Sequence, residues 1–352
     1  MEGLSEQRRE EAEWRRVEAT ARPAAAAWVL LAGVAGLLLS FVLSVSLGAA
    51  DIDFADVWLS VLQLNPDPQQ SQIIMDIRLP RVIGAACVGC SLAVAGAIMQ
   101  GMTRNPLADS GLLGLNAGAA FMLAVCFAFM PGLPYMYIVL CSFAGAALGA
   151  AAVYGIGSMA RNGLTPVRLV LAGTAVSALL SALSEGIALR FRVAQDLVFW
   201  FAGGVSGTRW SHLAVIAPGL LAALAGALVL SRSITILSLG EDVAAGLGQR
   251  TGLVKLLGVL FVLVLAGTAV AVVGPVSFVG LIVPHAARWL VGHDYRWIIP
   301  ASAVLGAVLV VLADLAARMI NPPHEIPIGV LIALIGVPFF LYLARKRTRV
   351  MS

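Results

Sequence analysis

The chain has 352 residues, of which 60% are hydrophobic and only 12% are charged, whereas ordinary soluble domains are about 45–50% apolar and about 25% charged. The charged residues cluster between apolar stretches of roughly 20 residues, the length at which a helix crosses a hydrocarbon layer about 30 Å thick. This composition excludes a soluble globular protein and predicts an all-α polytopic membrane protein without a large aqueous domain.

The predicted elements, in chain order, are a charged N-terminal tail (1–27), a transmembrane domain (28–344) and a basic C-terminal tail (345–352). Ten predicted spans fill the domain: 28–48, 82–101, 111–130, 134–158, 168–189, 211–231, 252–273, 277–291, 297–317 and 326–344. Because ten is an even number, both tails lie on one side of the membrane. That side holds about three quarters of the 23 lysines and arginines, so the positive-inside rule predicts that both termini are cytoplasmic.

The net charge of +4 does not indicate a nucleic-acid partner, because the basic residues lie at the ends of the apolar stretches, where they set orientation. Two lysines occur, Lys255 and Lys346, and neither follows a glycine, so the chain has no Gly-Lys-Ser/Thr phosphate-binding loop. Nor does it contain a Gly-x-Ser-x-Gly or His-Glu-x-x-His motif. We therefore expect no catalytic residue and no nucleotide bound by this chain.

Two outer segments are longer than turns. Residues 49–81 are acidic and end in Arg78 and Arg81, and residues 190–210 alternate charged with aromatic residues. Aromatic side chains favour the membrane interface, so the second segment predicts a short interfacial or re-entrant helix.

Ionisable residues within the spans are few. Glu185 lies in the fifth span, and Asp314 and Arg318 are four residues apart in the ninth. An ion relay would make the chain a secondary transporter, but the four-residue spacing favours a structural ion pair on one helix face. The four cysteines lie in apolar stretches and the four histidines lack ligand spacing, so we expect packing roles, no metal site and no cofactor.

Polar residues cluster at helix ends on the inner side. One cluster contains Asn105, Pro106 and Asp109, and the other runs from 237 to 248. In the second, Ser238 or Gly240 can start a short helix, acidic residues suit its first turn, and Gly246 or Gly248 can end it. A short capped helix on the inner surface is typical of a docking element.

The outer arginines, Arg78, Arg81 and Arg318, could meet an acidic partner, because the guanidinium fork recognises carboxylates in a bidentate manner. Charge reversal at Arg78 or Arg81 is then expected to weaken docking and to affect folding little.

Eight motifs follow one another along the chain: Arg78-Leu-Pro-Arg81, Gly96-Ala-Ile-Met-Gln-Gly101, Asn105-Pro-Leu-Ala-Asp109, Gly111-Leu-Leu-Gly114, Leu239-Gly-Glu-Asp-Val-Ala-Ala-Gly-Leu-Gly248, Gly274-Pro-Val-Ser-Phe-Val-Gly-Leu-Ile-Val-Pro-His285, Glu325-Ile-Pro-Ile-Gly329 and Gly336-Val-Pro-Phe-Phe340. In sequence and order they resemble a known family, the iron-siderophore, haem and vitamin B12 permeases, which are the membrane subunits of type II ATP-driven importers. The resemblance extends over about 78–344.

The resemblance implies a ten-helix subunit of a bacterial cytoplasmic membrane that pairs with a second copy or a homologue. It implies cytoplasmic ATP-binding subunits, which would hydrolyse ATP, and an extracytoplasmic substrate-binding protein. It assigns docking of the binding protein to Arg78, Arg81 and Arg318, and the transport pathway to 168–189 and 326–344. It assigns coupling and cytoplasmic loop contacts to these residues: Leu239, Gly240, Glu241, Asp242 and Gly248 for coupling; Asn105, Pro106 and Asp109 for the loop. Asp242 replaces a glutamate that is common in the family and keeps its charge.

The sequence therefore favours the permease of a metal-chelate importer, with a ferric siderophore as cargo. Haem and vitamin B12 remain alternative cargoes. The rival from another class is an ion-gradient-driven secondary transporter that uses Glu185 and Asp314.

Overall fold

The computed structural model describes residues 22–48, 53–62, 64, 67–158, 166–202, 204–322 and 324–348. Its helices are α1 (Pro23–Ser46), α2 (Phe54–Val61), α3 (Pro68–Thr103), α4 (Leu115–Phe129), α5 (Tyr135–Ser158), α6 (Pro166–Phe191), α7 (Ala194–Ala202), α8 (Trp210–Leu239), α9 (Glu241–Gly246), α10 (Thr251–Val273), α11 (Val279–Val291), α12 (Tyr295–Met319) and α13 (Ile328–Thr348). A 3-10 turn (Ser110–Leu113) precedes α4. The described part of the chain is all-helical, as the sequence predicts.

Ten of these helices match the ten predicted spans. Seven are long and apolar enough to cross a membrane, and α4, α11 and α13 supply three shorter apolar helices. The domain boundaries differ slightly from the sequence prediction. Helix α1 begins at Pro23, within the predicted tail, and α13 continues past 344. Residues 1–21 and 349–352 of the predicted tails lie outside the described residues.

The long outer segment is helical over much of its length, which the sequence analysis did not predict. Helix α3 starts at Pro68, after Asp67 has accepted a hydrogen bond from the Gln69 amide at 3.1 Å. An acceptor side chain followed by proline is a favourable helix start. The helix then passes through a π-helical turn, Ile73–Arg78, into its membrane part. Trp210 holds this turn, because its indole N–H donates to the Met75 carbonyl at 2.7 Å.

Helix α3 is the centre of the bundle. Most residues between Leu79 and Thr103 are buried, and α8, α10, α11 and α12 pack around it. Small residues allow this packing, because a Cβ at Gly89 would collide with the Gly306 carbonyl and one at Gly96 with the Gly280 carbonyl. Close backbone approach at small residues is a general means of packing helices in membranes. Gly145 and Gly149 on α5 approach α4 in the same way.

The bundle has two ends that carry different polar groups. One, the α9 end, contains the ends of α3 and α8, the start of α12 and helix α9; the Arg22 amide donates to the Val291 carbonyl there at 3.4 Å. The other, the arginine end, contains the ends of α1 and α12 and the arginines predicted to dock a partner. Helix α7 confirms the short helix predicted within 190–210.

Candidate docking and coupling sites

Arg81 lies in a buried ion-pair network at the arginine end. Its guanidinium contacts Asp314 at 2.8 Å and Glu325 at 2.7 Å, with further hydrogen bonds to the second oxygen of each carboxylate. Arg81 is 7% exposed and Asp314 is fully buried. Both edges of the planar fork are therefore used within the chain, which fixes α3 against α12 and the loop before α13.

Arg318 completes this network and links it to α1. It lies 3.3 Å from Asp314, which confirms the predicted ion pair on α12. Its guanidinium also donates to the Ser44 hydroxyl at 2.6 Å and to the Ser44 carbonyl at 3.2 Å. Arg78 donates to the Val45 carbonyl at 2.9 Å and to the Ser46 carbonyl at 3.1 Å. Both arginines thus neutralise the carbonyl-rich, partially negative end of α1.

These three arginines with Asp314 and Glu325 form what we call the arginine cluster. From the sequence, the three arginines are expected to be available to a partner, but all three are buried, with exposures of 5%, 7% and 6% for Arg78, Arg81 and Arg318. The cluster contains three cations and two anions, so it keeps a net positive charge.

Glu325 is the accessible member of the cluster. Its side chain is 44% exposed, in the loop between α12 and α13. Hydrogen bonds from Arg81 lower the pKa of Glu325 against the opposing effect of its burial, so it is a carboxylate at neutral pH. Glu325 begins one of the family motifs in the sequence, and no role is predicted for it from the sequence alone. Its partner Arg81 is 244 residues away, so no local pattern could reveal the pair.

Helix α9 has the start that the sequence predicts. Gly240 precedes it with φ of 142°, a conformation that side chains rarely adopt, and Glu241 and Asp242 occupy its first turn. The helix ends at Gly246, and Gly248 follows with φ of 79°. Leu239 ends α8, so the alternative start at Ser238 lies inside that helix. Acidic residues at a helix N-terminus complement the partial positive charge of the exposed amides.

One ion pair fixes α9 against the bundle. The Lys255 ammonium on α10 contacts the Glu241 carboxylate at 2.6 Å. Ala244 is the buried residue of the helix, whereas Asp242 and Leu247 face outward and Leu247 is 68% exposed. Helix α9 therefore presents an acidic and apolar surface at the end of the bundle.

The loop after α3 lies beside α9. Its first residue, Arg104, takes a left-handed conformation with φ of 52°, and a Cβ on Gly240 would lie 3.8 Å from the Arg104 guanidinium. The Asn105 side chain accepts from the Leu107 amide at 3.0 Å, an Asx turn that fixes the loop around Pro106. Asp109 packs against Gly280, at the start of α11. The structure therefore places Arg104, the first residue of this loop, beside the predicted coupling helix and places Asp109 against α11.

The acidic residues considered for an ion relay have different surroundings. Asp314 is buried between two arginines, whereas Glu185 is exposed on α6. Cys87 and Cys90 pack against the apolar core along α3, in keeping with the packing role predicted for them.

Comparisons with known proteins agree with this architecture. Residues 36–346 match the FecCD transport family. The chain belongs to this family of membrane transport proteins.

Two relatives and one solved structure show how far the likeness extends. The chain is 54% identical over 340 residues to the iron(3+)-hydroxamate import system permease protein FhuB of Bacillus subtilis, covering 97% of this chain and 87% of that protein. It is 41% identical over 314 residues to the ferric enterobactin transport system permease protein FepD of Escherichia coli, covering 89% of this chain and 93% of that one. Its fold is similar to a metal-chelate type ABC transporter solved in an inward-facing conformation, with a TM-score of 0.78, 30% identity and coverage of 90% of this chain and 99% of that chain.

Proposed function

We propose that this chain is the membrane permease of an ATP-driven importer for a ferric siderophore, with hydroxamate chelates as the first class to test. The observation that carries this proposal is the 54% identity to a ferric-hydroxamate permease along 97% of the chain. Haem and vitamin B12 are the alternative cargoes. The permease itself would perform no chemistry, and ATP would be hydrolysed by separate subunits.

The two ends of the bundle support opposite partners. We assign the α9 end to the cytoplasm, where α9 would contact an ATP-binding subunit together with Asn105 and Pro106. The arginine end would face the extracytoplasmic binding protein. This orientation puts both chain ends in the cytoplasm of a bacterial cell, as the positive-inside rule predicts.

A second permease copy, or a homologous permease, would cover the apolar surfaces that the single subunit exposes. Helices α6 and α13 carry large exposed side chains: Leu171, Leu179, Leu183, Leu189, Val330, Leu334, Ile335 and Leu341. Lipid covers some apolar surface of any membrane protein, but these two helices also correspond to the pathway helices implied by the family resemblance. We infer that they line a conduit between two permeases.

Transport would then depend on movements that begin at α9. Closure of the ATP-binding subunits would displace α9 and, through the Glu241–Lys255 pair, α10. Rigid-body movement of packed helices is a common way to open one side of a transporter while closing the other.

Uptake by reconstituted protein distinguishes this proposal from a secondary transporter. In proteoliposomes, we expect ferric hydroxamate uptake only when the ATPase, the binding protein and ATP are all present. Dissipating the proton and sodium gradients should leave that uptake unchanged. Gradient-driven uptake by the permease alone would contradict the proposal. Haem and vitamin B12, offered under the same conditions, test the alternative cargoes.

Neutralising Glu325 tests docking at the arginine end, because Glu325 is the exposed partner of Arg81 and its loss leaves the pair between Arg81 and Asp314 in place. We expect Glu325→Gln to tighten binding of the binding protein about 2- to 10-fold at low salt, because an exposed carboxylate that competes for Arg81 is removed. The measurement is surface-based binding to permease in nanodiscs. Asp53→Asn, an exposed carboxylate at the same end outside the cluster, is the matched control. Weaker or unchanged binding in Glu325→Gln would argue against docking at this cluster.

A further inference from the structure

A cationic cavity of about 360 Å³ opens at the α9 end, between the ends of α3 and α8 and the α11–α12 connection. Two arginines and two histidines line it: Arg104, Arg288, His285 and His293. Pro106, which also lines the cavity, is assigned above to the contact with the ATP-binding subunit, whereas the arginines and histidines of the lining have no role in that proposal.

Arg288 is held in a fixed orientation within it. Its guanidinium donates to the Gln100 side-chain oxygen, and the Gln100 amide in turn donates to the Gly280 carbonyl at 2.9 Å. Gln100 is 2% exposed on the central helix α3. A guanidinium carries five N–H donors, so the bond to Gln100 leaves most of them to face the cavity. The orientation of this cation is therefore set by the core of the bundle.

The neighbouring acidic groups are directed to other partners. Asp294 adjoins the lining, but it contacts Arg296 at 2.6 Å and the Thr235 hydroxyl at 3.2 Å. Burial alone would raise the pKa of Asp294, but hydrogen bonds from Arg296 outweigh burial and lower it. This carboxylate is therefore charged and already paired with Arg296. Glu241 pairs with Lys255. Among the described residues that line the cavity, none is acidic, so its cations face it without a compensating charge.

This charge and donor arrangement selects an oxyanion. We propose that the cavity binds a phosphate group, supplied either by an anionic lipid headgroup or by free phosphate. Arg104 and Arg288 carry the positive charge, and guanidinium forks match the oxygens of phosphate. Ser238 and Tyr295 add hydroxyl donors to the lining.

Two observations refine the roles of the rim residues. Burial, reinforced by the charge of Arg288, lowers the pKa of His293, so at neutral pH its imidazole is a neutral hydrogen-bonding group. Trp289 on the rim is 55% exposed, as is typical of aromatic residues at the membrane interface, where lipid phosphates lie. Basic pockets between helices at this depth are suited to anionic headgroups. A bound phosphate would bridge α3 to α11 next to α9.

Binding to the purified full-length permease tests this site, and it requires no transport. Native mass spectrometry would compare retention of phosphatidylglycerol with that of phosphatidylcholine, and thermal unfolding in detergent would be followed with added inorganic phosphate. Losing one charged contact is expected to weaken phosphate binding about 10-fold or more in Arg104→Gln. Arg232→Gln and Arg250→Gln, two exposed arginines outside the lining, are matched controls.

Each outcome decides the proposal. Phosphatidylglycerol retention that falls in Arg104→Gln and not in the controls supports a lipid headgroup, and a phosphate-dependent rise in Tm with the same pattern supports free phosphate. If neither ligand binds the wild-type protein, or if Arg104→Gln behaves as the controls do, the proposal is overturned. Arg288→Gln is a second variant, but its bond to Gln100 links it to folding, so Arg104→Gln carries the decision.

Discussion

Replacing Arg81 with glutamine should lower the free energy of unfolding by about 3–5 kcal/mol, because it leaves a buried carboxylate without its main partner. Asp314 is fully buried and Arg81 is its closest cation, at 2.8 Å. Arg318 remains at 3.3 Å, so the effect should lie toward the lower end of that range. Chemical denaturation of the purified permease in mixed micelles measures the change.

The matched control is Arg190→Gln, an exposed arginine in the last turn of α6 at the same end of the bundle, for which a change within about 0.5 kcal/mol is expected. The double variant Arg81→Met, Asp314→Leu should be less destabilised than the sum of its single variants, since both charges of a buried pair are then removed. Equal unfolding free energies for Arg81→Gln and Arg190→Gln would show that the buried network contributes nothing.

This prediction revises the one made from the sequence alone, which expected charge reversal at Arg81 to affect docking and not folding. The buried ion pairs couple the two effects, so a docking defect in an Arg81 variant cannot be interpreted without its stability. Glu325→Gln is the better docking variant, because its side chain is 44% exposed and its removal leaves Asp314 paired.

Neutralising both acidic residues at the start of α9 should strongly reduce ATP-driven uptake while ATP hydrolysis continues. In Glu241→Gln, Asp242→Asn, α9 loses its ion pair to α10 and its outward-facing carboxylate together. Uptake is expected to fall at least about 10-fold, which corresponds to about 1.4 kcal/mol in the activation free energy of transport. Parallel assays of ferric hydroxamate uptake and phosphate release in proteoliposomes measure it.

Lys255→Met separates the contribution of the Glu241–Lys255 ion pair from that of the acidic surface of α9. It removes the ion pair but keeps both carboxylates, so it should reproduce the part of the defect that arises from the position of α9. Asp53→Asn, an exposed acidic residue at the opposite end, is the control and should transport normally. Full uptake in the double variant would refute a coupling role for α9.

The predictions for Arg81 and for α9 depend on some contacts that the sequence indicates and on others that appear only in the folded structure. The start of α9 depends on neighbouring residues, a glycine followed by two acidic residues, and the rules of helix capping predicted this start correctly. The ion pair between Asp314 and Arg318 is also local, since four residues bring side chains together on one helix face. The pair between Arg81 and Asp314 spans 233 residues, and neither residue indicates the other in the sequence.

The sequence by itself determined the protein class, the ten apolar helices with their order and the position of the short helix α9, because the bilayer requires long apolar helices and local capping marks helix ends. Only the tertiary structure decided which polar groups are buried together. In the folded structure, three arginines are buried against Asp314, Glu325 and the end of α1, and Arg104 and Arg288 line one cavity. The physical reason is that buried charges need partners, and the partners of these arginines meet only when distant helices pack.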